Sequence, residues 1–127
     1  MERTYYLLAS VLGFLGVALG AFGAHGLKTR LSGLADAEQR LAWWQTGAQY
    51  HLLHALAVGL AGAVAARVPG GTAAGWLFLG GIALFSGSLY AMTLTGVRRL
   101  GAVTPLGGLL LLAGWVALGA AALAMAG

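Results

Sequence analysis

The chain has 127 residues, of which 60% are hydrophobic and 8% charged, with a mean hydropathy of +0.87. That composition lies outside the range of soluble globular proteins, the length allows one domain, and the lack of any cysteine excludes disulfides and thiolate metal sites. The formal net charge of +4 comes from seven basic residues spread without a cluster, a pattern that membrane topology alone produces and that points to no nucleic-acid partner.

Four windows without a charged residue run over 5–27, 44–66, 75–95 and 106–125, and the seven basic and three acidic residues all fall outside them. Each window is about 20 residues or longer, the length a helix needs to cross about 30 Å of hydrocarbon. The prediction is an all-α fold: one membrane domain over 1–127, an integral four-helix up-down-up-down bundle. Arg3 followed by an apolar run ending in AFGA resembles a signal peptide, but the run is too long for a typical h-region and is read as the first span.

In the first span, Gly13, Gly16, Gly20 and Gly23 fall within an arc of roughly 80° at helical spacing, a smooth stripe for packing against another helix. Gly26 is expected to cap this helix, with His25 and Lys28 facing the exposed carbonyls. The loop that follows is polar, and Asp36 is a candidate start for a short interfacial helix. Trp43 and Trp44 then mark the headgroup level.

The second span opens with WWQTGAQYHLLH (43–54), the one stretch that places glutamines, a tyrosine and two histidines in apolar surroundings. Gln45 and Gln49 stand at i, i+4, as do Tyr50 and His54, while His51 and His54 are at i, i+3. Together these side chains cover roughly 240° of the helix circumference, so neighbouring helices or a second protomer should surround them. Unpaired polar groups in hydrocarbon cost several kcal/mol; uncharged imidazoles there need hydrogen-bonding partners or water.

VPGGT (68–72) reads as a tight hairpin turn, and Trp76 as an interface anchor. In the third span Ser86, Tyr90 and Thr93 form one polar stripe, with Gly80, Ala83, Gly87 and Ala91 as a packing stripe beside it. Thr104 is expected as N-cap and Pro105 as the first residue of the fourth helix. There Gly107, Gly114 and Ala121 repeat every seven residues as a packing seam, and the mid-span Trp115 needs a partner for its N–H.

Both termini and the 67–74 turn share one side with Arg3 and Arg67. Lys28, Arg30, Arg40, Arg98 and Arg99 lie on the other, which places loops 28–43 and 96–104 in the cytoplasm and both termini outside. Counted from the basic side at ~1.5 Å per residue, His51 and His54 lie roughly 10–16 Å deep, and Ser86, Ser88 and Tyr90 roughly 7–14 Å deep. His25 and Thr104 stand at the rim. The uncharged polar residues thus gather in one half of the bilayer.

GAFGAHGLK (20–28), QTGAQYHLLHAL (45–56), FSGSLYAMTLTG (85–96) and TPLGG (104–108) with GW (114–115) resemble, in order, the YgdD/YwdK-like family of small bacterial inner-membrane proteins, which has mitochondrial relatives. The resemblance implies a multi-pass protein of the bacterial inner membrane and carries no catalytic role with it.

The residues themselves support a binding module, not an enzyme. Candidate ligand-binding residues are His25, Gln49, Tyr50, His51, His54, Ser86, Ser88, Tyr90 and Thr104, for a small polar ligand, lipid headgroup, quinone or proton. No carboxylate lies in a span and no nucleophile elbow occurs, so the expectation is no metal, no cofactor and no catalytic residue. The second reading is a structural or accessory subunit that docks on other membrane proteins, or on its own copies, through the glycine-rich faces. The lipid bilayer is the partner common to both.

Overall fold

A computed structural model describes residues 2–125 as helices joined by short connections, with no strand among them. Four helices are long and apolar enough to cross a membrane: α1 (Glu2–Leu31), α2 (Ala37–Ala65), α3 (Gly70–Thr95) and α4 (Thr104–Ala124). They alternate in direction as an up-down-up-down bundle. α1 packs along α2, α2 along α3 and α3 along α4, whereas α2 and α4 meet only sparsely. The outward surface is apolar, with Phe14, Leu56, Val116 and Leu123 each more than 70% exposed, as lipid contact requires.

The helix ends depart from the sequence reading in several places. α1 does not stop at Gly26. It widens into a π-helical turn over Gly23–Leu27 and continues over Lys28–Leu31. The indole N–H of Trp44 donates to the Leu19 carbonyl at 2.7 Å just before that turn, and a side chain bonded into the backbone ladder is a known cause of such distortion. Trp44 is therefore buried between α1 and α3 and does not face outward as an anchor; its ring lies where a Cβ on Gly23 would stand. α2 runs unbroken from Ala37, so no separate interfacial helix forms at Asp36.

The glycines of VPGGT are not turn residues. α3 starts at Gly70 behind Pro69, and Gly71 lets α3 close on α2: an added Cβ would meet the Ala65 backbone, with the Ala61 carbonyl oxygen 2.8 Å away. At the other end Gly96, with φ 73°, caps α3 and donates to the Met92 carbonyl at 2.8 Å. A 3-10 turn (Arg98–Ala102) leads into α4. Thr104 is the first residue of α4, with Val103 in the cap position, so its hydroxyl is free for use across the bundle.

The expected packing stripes are only partly faces of contact. Gly16 lies against Leu52, Gly114 against the Phe78 ring, Gly80 near Leu110, and Gly107 on the backbone of Leu84 and Phe85. At Gly13, Gly20 and Gly87 an added Cβ would meet nothing within 4 Å. α2 meets α1 at the Gly16 and Gly23 edge of the stripe, and Gly13 and Gly20 lie at its other edge.

Two clusters make up the interior. Tyr5, Val58, Ala61, Ala74, Phe78, Ile82, Leu111 and Leu118 form the larger one; Leu27, Leu31 and Trp44 form the smaller one near the basic loops. Tyr5 is fully buried, and its hydroxyl donates to the Thr72 carbonyl at 2.7 Å, tying the start of α1 to the start of α3.

Candidate functional site

At the basic end the two loops are clasped together. Arg40 Nε donates to both Asp36 carboxylate oxygens at 3.1 Å, and its guanidinium also donates to the Thr93 carbonyl at 3.3 Å. Thr93, fully buried, returns a bond to the Arg40 carbonyl at 3.0 Å. Arg98 donates to Gln39, lies 3.7 Å from Asp36, and stacks over the Trp43 ring at 5.3 Å. The hydrogen bond from Arg40 holds the Asp36 carboxyl below the usual carboxylate range.

Beneath this clasp the polar residues form separate interhelical pairs. Ser86 donates to the Gly47 carbonyl at 2.7 Å, joining α3 to α2. Ser88 and Thr104 share a hydrogen bond at 2.5 Å, joining α3 to α4. His51, only 4% exposed, pairs its Nδ1 with the Tyr90 hydroxyl at 2.9 Å. Its Nε2 is buried and has no hydrogen-bond partner among the described residues.

His54 turns the other way, toward α4. The Trp115 indole N–H, which can only donate, points at His54 Nε2 at 3.0 Å, and the Tyr50 carbonyl, which can only accept, lies 2.8 Å from Nδ1. These two bonds assign the proton to Nδ1 and leave no spare capacity on the ring. The Tyr50 ring stacks near-parallel to that imidazole at 6.1 Å and lies 5.0 Å from Phe85.

The expected polar residues therefore do not converge on one cavity. His51 and His54, one turn apart on α2, bond to different helices, α3 and α4. His25 is exposed at the π-helical turn, and Gln49 is exposed on the outer side of α2. What does open is a cleft of about 710 Å³ between α2 and α4, where those helices fail to meet. Tyr50, Leu53 and His54 form one wall, Pro105, Gly108, Leu112 and Trp115 the other, and Phe85 lies between them. Tyr50 is 43% exposed, and its hydroxyl makes no hydrogen bond among the described residues. Leu53, Leu109 and Leu112 are exposed at the mouth, so the cleft opens toward lipid. Phe85, Pro105, Gly108 and Trp115 were not among the residues the sequence singled out for binding. Aromatic and glycine positions in a span look like ordinary packing until the gap between two helices is seen.

A family model described as Protein of unknown function (DUF423) matches residues 19–108. The chain is 41% identical over 117 residues to UPF0382 membrane protein YwdK of Bacillus subtilis, covering 90% of this chain and 91% of the relative. It is 41% identical over 116 residues to UPF0382 inner membrane protein YgdD of Escherichia coli, covering 90% and 85%. To a UPF0382 membrane protein of Haemophilus influenzae it is 42% identical over 122 residues, covering 93% and 92%. No solved structure matches.

Proposed function

This chain belongs to the DUF423 family of membrane proteins, and we propose that it is a binding module of the bacterial inner membrane whose α2/α4 cleft holds a lipid-soluble ring compound bearing a hydrogen-bonding oxygen, as a quinone does. The observation that carries this reading is the cleft itself: about 710 Å³, open to lipid, walled by aromatic and aliphatic side chains, with the free Tyr50 hydroxyl as its spare polar group. Known ligand sites of roughly 300–1,000 Å³ share that character, mostly apolar with few fixed polar groups. A free proton or a charged headgroup is a poorer fit to such walls. Both nitrogens of His54 are committed, which favours binding over acid–base chemistry.

Gly108 gives the test. A Cβ there meets only Phe85 Cδ2, at 3.8 Å, so Gly108→Leu fills the cleft without displacing the core. The expected result is a normally folded variant that loses the lipid-soluble compound extracted with the wild type and identified by mass spectrometry. Tyr50→Phe should weaken retention about threefold to tenfold, the worth of one neutral hydrogen bond. Identical extracts from wild type and Gly108→Leu would refute the reading.

The orientation we infer has loops 28–43 and 96–104 in the cytoplasm and both termini outside, from five basic residues against two. With no native cysteine, Ser32→Cys and Ala66→Cys report it directly, since both positions are exposed at opposite ends. On intact cells an impermeant maleimide should label the cysteine at 66 and spare the one at 32. The opposite labelling would invert the topology.

A further inference from the structure

The outer side of the α1/α2 pair carries polar groups without a hydrogen-bond partner among the described residues. Gln45 and Gln49 are exposed one turn apart on α2. The hydrogen bonds of Trp44, His51 and His54 run to α1, α3 and α4, and neither glutamine amide has a partner among the described residues. Trp43, held under Arg98, marks the headgroup level, and Gln49 lies six residues deeper, about 9 Å along the helix. A carboxamide left unpaired at that depth is strongly unfavourable.

Beside these amides the surface is hollow. A groove of about 470 Å³ runs between Gly20 and Ala21 of α1 and the two glutamines of α2. A second hollow of about 430 Å³, around Gly13 and Gly59, adjoins it at Leu52. At both Gly13 and Gly20 the backbone is open on this side.

We propose that this face is the contact with a second copy of the chain, related by a two-fold axis along the membrane normal. Copies inserted in the same orientation hold each residue at the same depth, so a glutamine lying at the axis faces its own counterpart. A carboxamide is self-complementary: its N–H donates to the carbonyl of the other copy's amide and its own carbonyl accepts in return. Lipid tails offer no such group, and an unrelated protein would have to carry a hydrogen-bonding side chain at this one depth. The bare backbone at Gly13 and Gly20 allows the close helix approach that brings the amides within reach. This inference concerns the α1 side of α2, whereas the cleft lies on its α4 side, and it does not rest on ligand binding there.

Single cysteines test it in native membranes. Gly20→Cys places a thiol in the groove where a Cβ meets nothing, and Val116→Cys places one on the exposed side of α4, 73% exposed, as the control. A short bismaleimide should convert Gly20→Cys into a homodimer on denaturing gels and leave Val116→Cys monomeric. Adding Gln49→Leu to Gly20→Cys should abolish most of that dimer while the helical circular dichroism is unchanged. Equal cross-linking of the two cysteines, cross-links from position 20 only to other proteins, no cross-link there, or a dimer indifferent to Gln49→Leu would each overturn the proposal.

Discussion

Gly107→Leu is expected to destabilise the protein by about 3 kcal/mol or more, at or beyond the upper end of typical overpacking costs. The Cβ alone would coincide with the backbone of α3: Leu84 C and Phe85 Cα lie 2.7 Å from it, and the Phe85 amide nitrogen is nearer still. Backbone cannot rotate aside as a leucine side chain can, so α3 and α4 would have to separate along much of their shared length. Even Gly107→Ala should be harmful. Gly87→Ala is the matched control, because nothing lies within 4 Å of its added Cβ. It should be neutral or stabilising by up to about 1 kcal/mol from helix propensity. Unfolding in mixed detergent, followed by circular dichroism, measures all three variants. If Gly107→Ala and Gly87→Ala were equally tolerated, the α3/α4 packing described above would be wrong.

His54→Phe is expected to cost about 1–2 kcal/mol, the scale of an interhelical hydrogen bond in a membrane. Phenylalanine keeps the ring among Tyr50, Phe78 and Trp115 but leaves the Trp115 N–H without its acceptor. That bond ties α4 to α2 where the two helices otherwise scarcely touch. Combined with Trp115→Phe in a double-mutant cycle, the two substitutions should be non-additive by about 1 kcal/mol. His51→Phe should cost less. It loses the Tyr90 bond but also removes a buried nitrogen that had no partner, and eliminating an unsatisfied polar atom offsets part of the loss. Additivity between His54→Phe and Trp115→Phe would show that the ring is held by packing alone.

The membrane class, the four-span bundle and the polar half of it could be read from the chain because each depends on one-dimensional quantities. Hydrocarbon thickness sets the length of a charge-free window, and rise per residue converts position into depth. Hence Tyr90 and the two histidines could be placed at similar levels with no coordinates. Azimuth is another matter. His51 and His54 were expected to face a shared pocket, yet one bonds Tyr90 on α3 and the other Trp115 on α4. Trp44 read as an interfacial anchor and proved to be an interior donor to Leu19. Gly70 and Gly71 read as a turn and lie within a helix.

The sequence by itself determined that this chain is a four-helix membrane bundle and where along its helices the polar residues lie. Only the tertiary structure decided which of them are paired, which of its 22 glycines touch a neighbour, and that a cleft opens between α2 and α4. The reason lies in the solvent. In water, the apolar side of a helix is its inner side, so periodicity reveals direction. In lipid the outward face is as apolar as the inward one, and association depends on shape and on individual hydrogen bonds. Gly87 and Gly107 look alike in such a sequence; one faces open space, and the other lies on the backbone of the next helix.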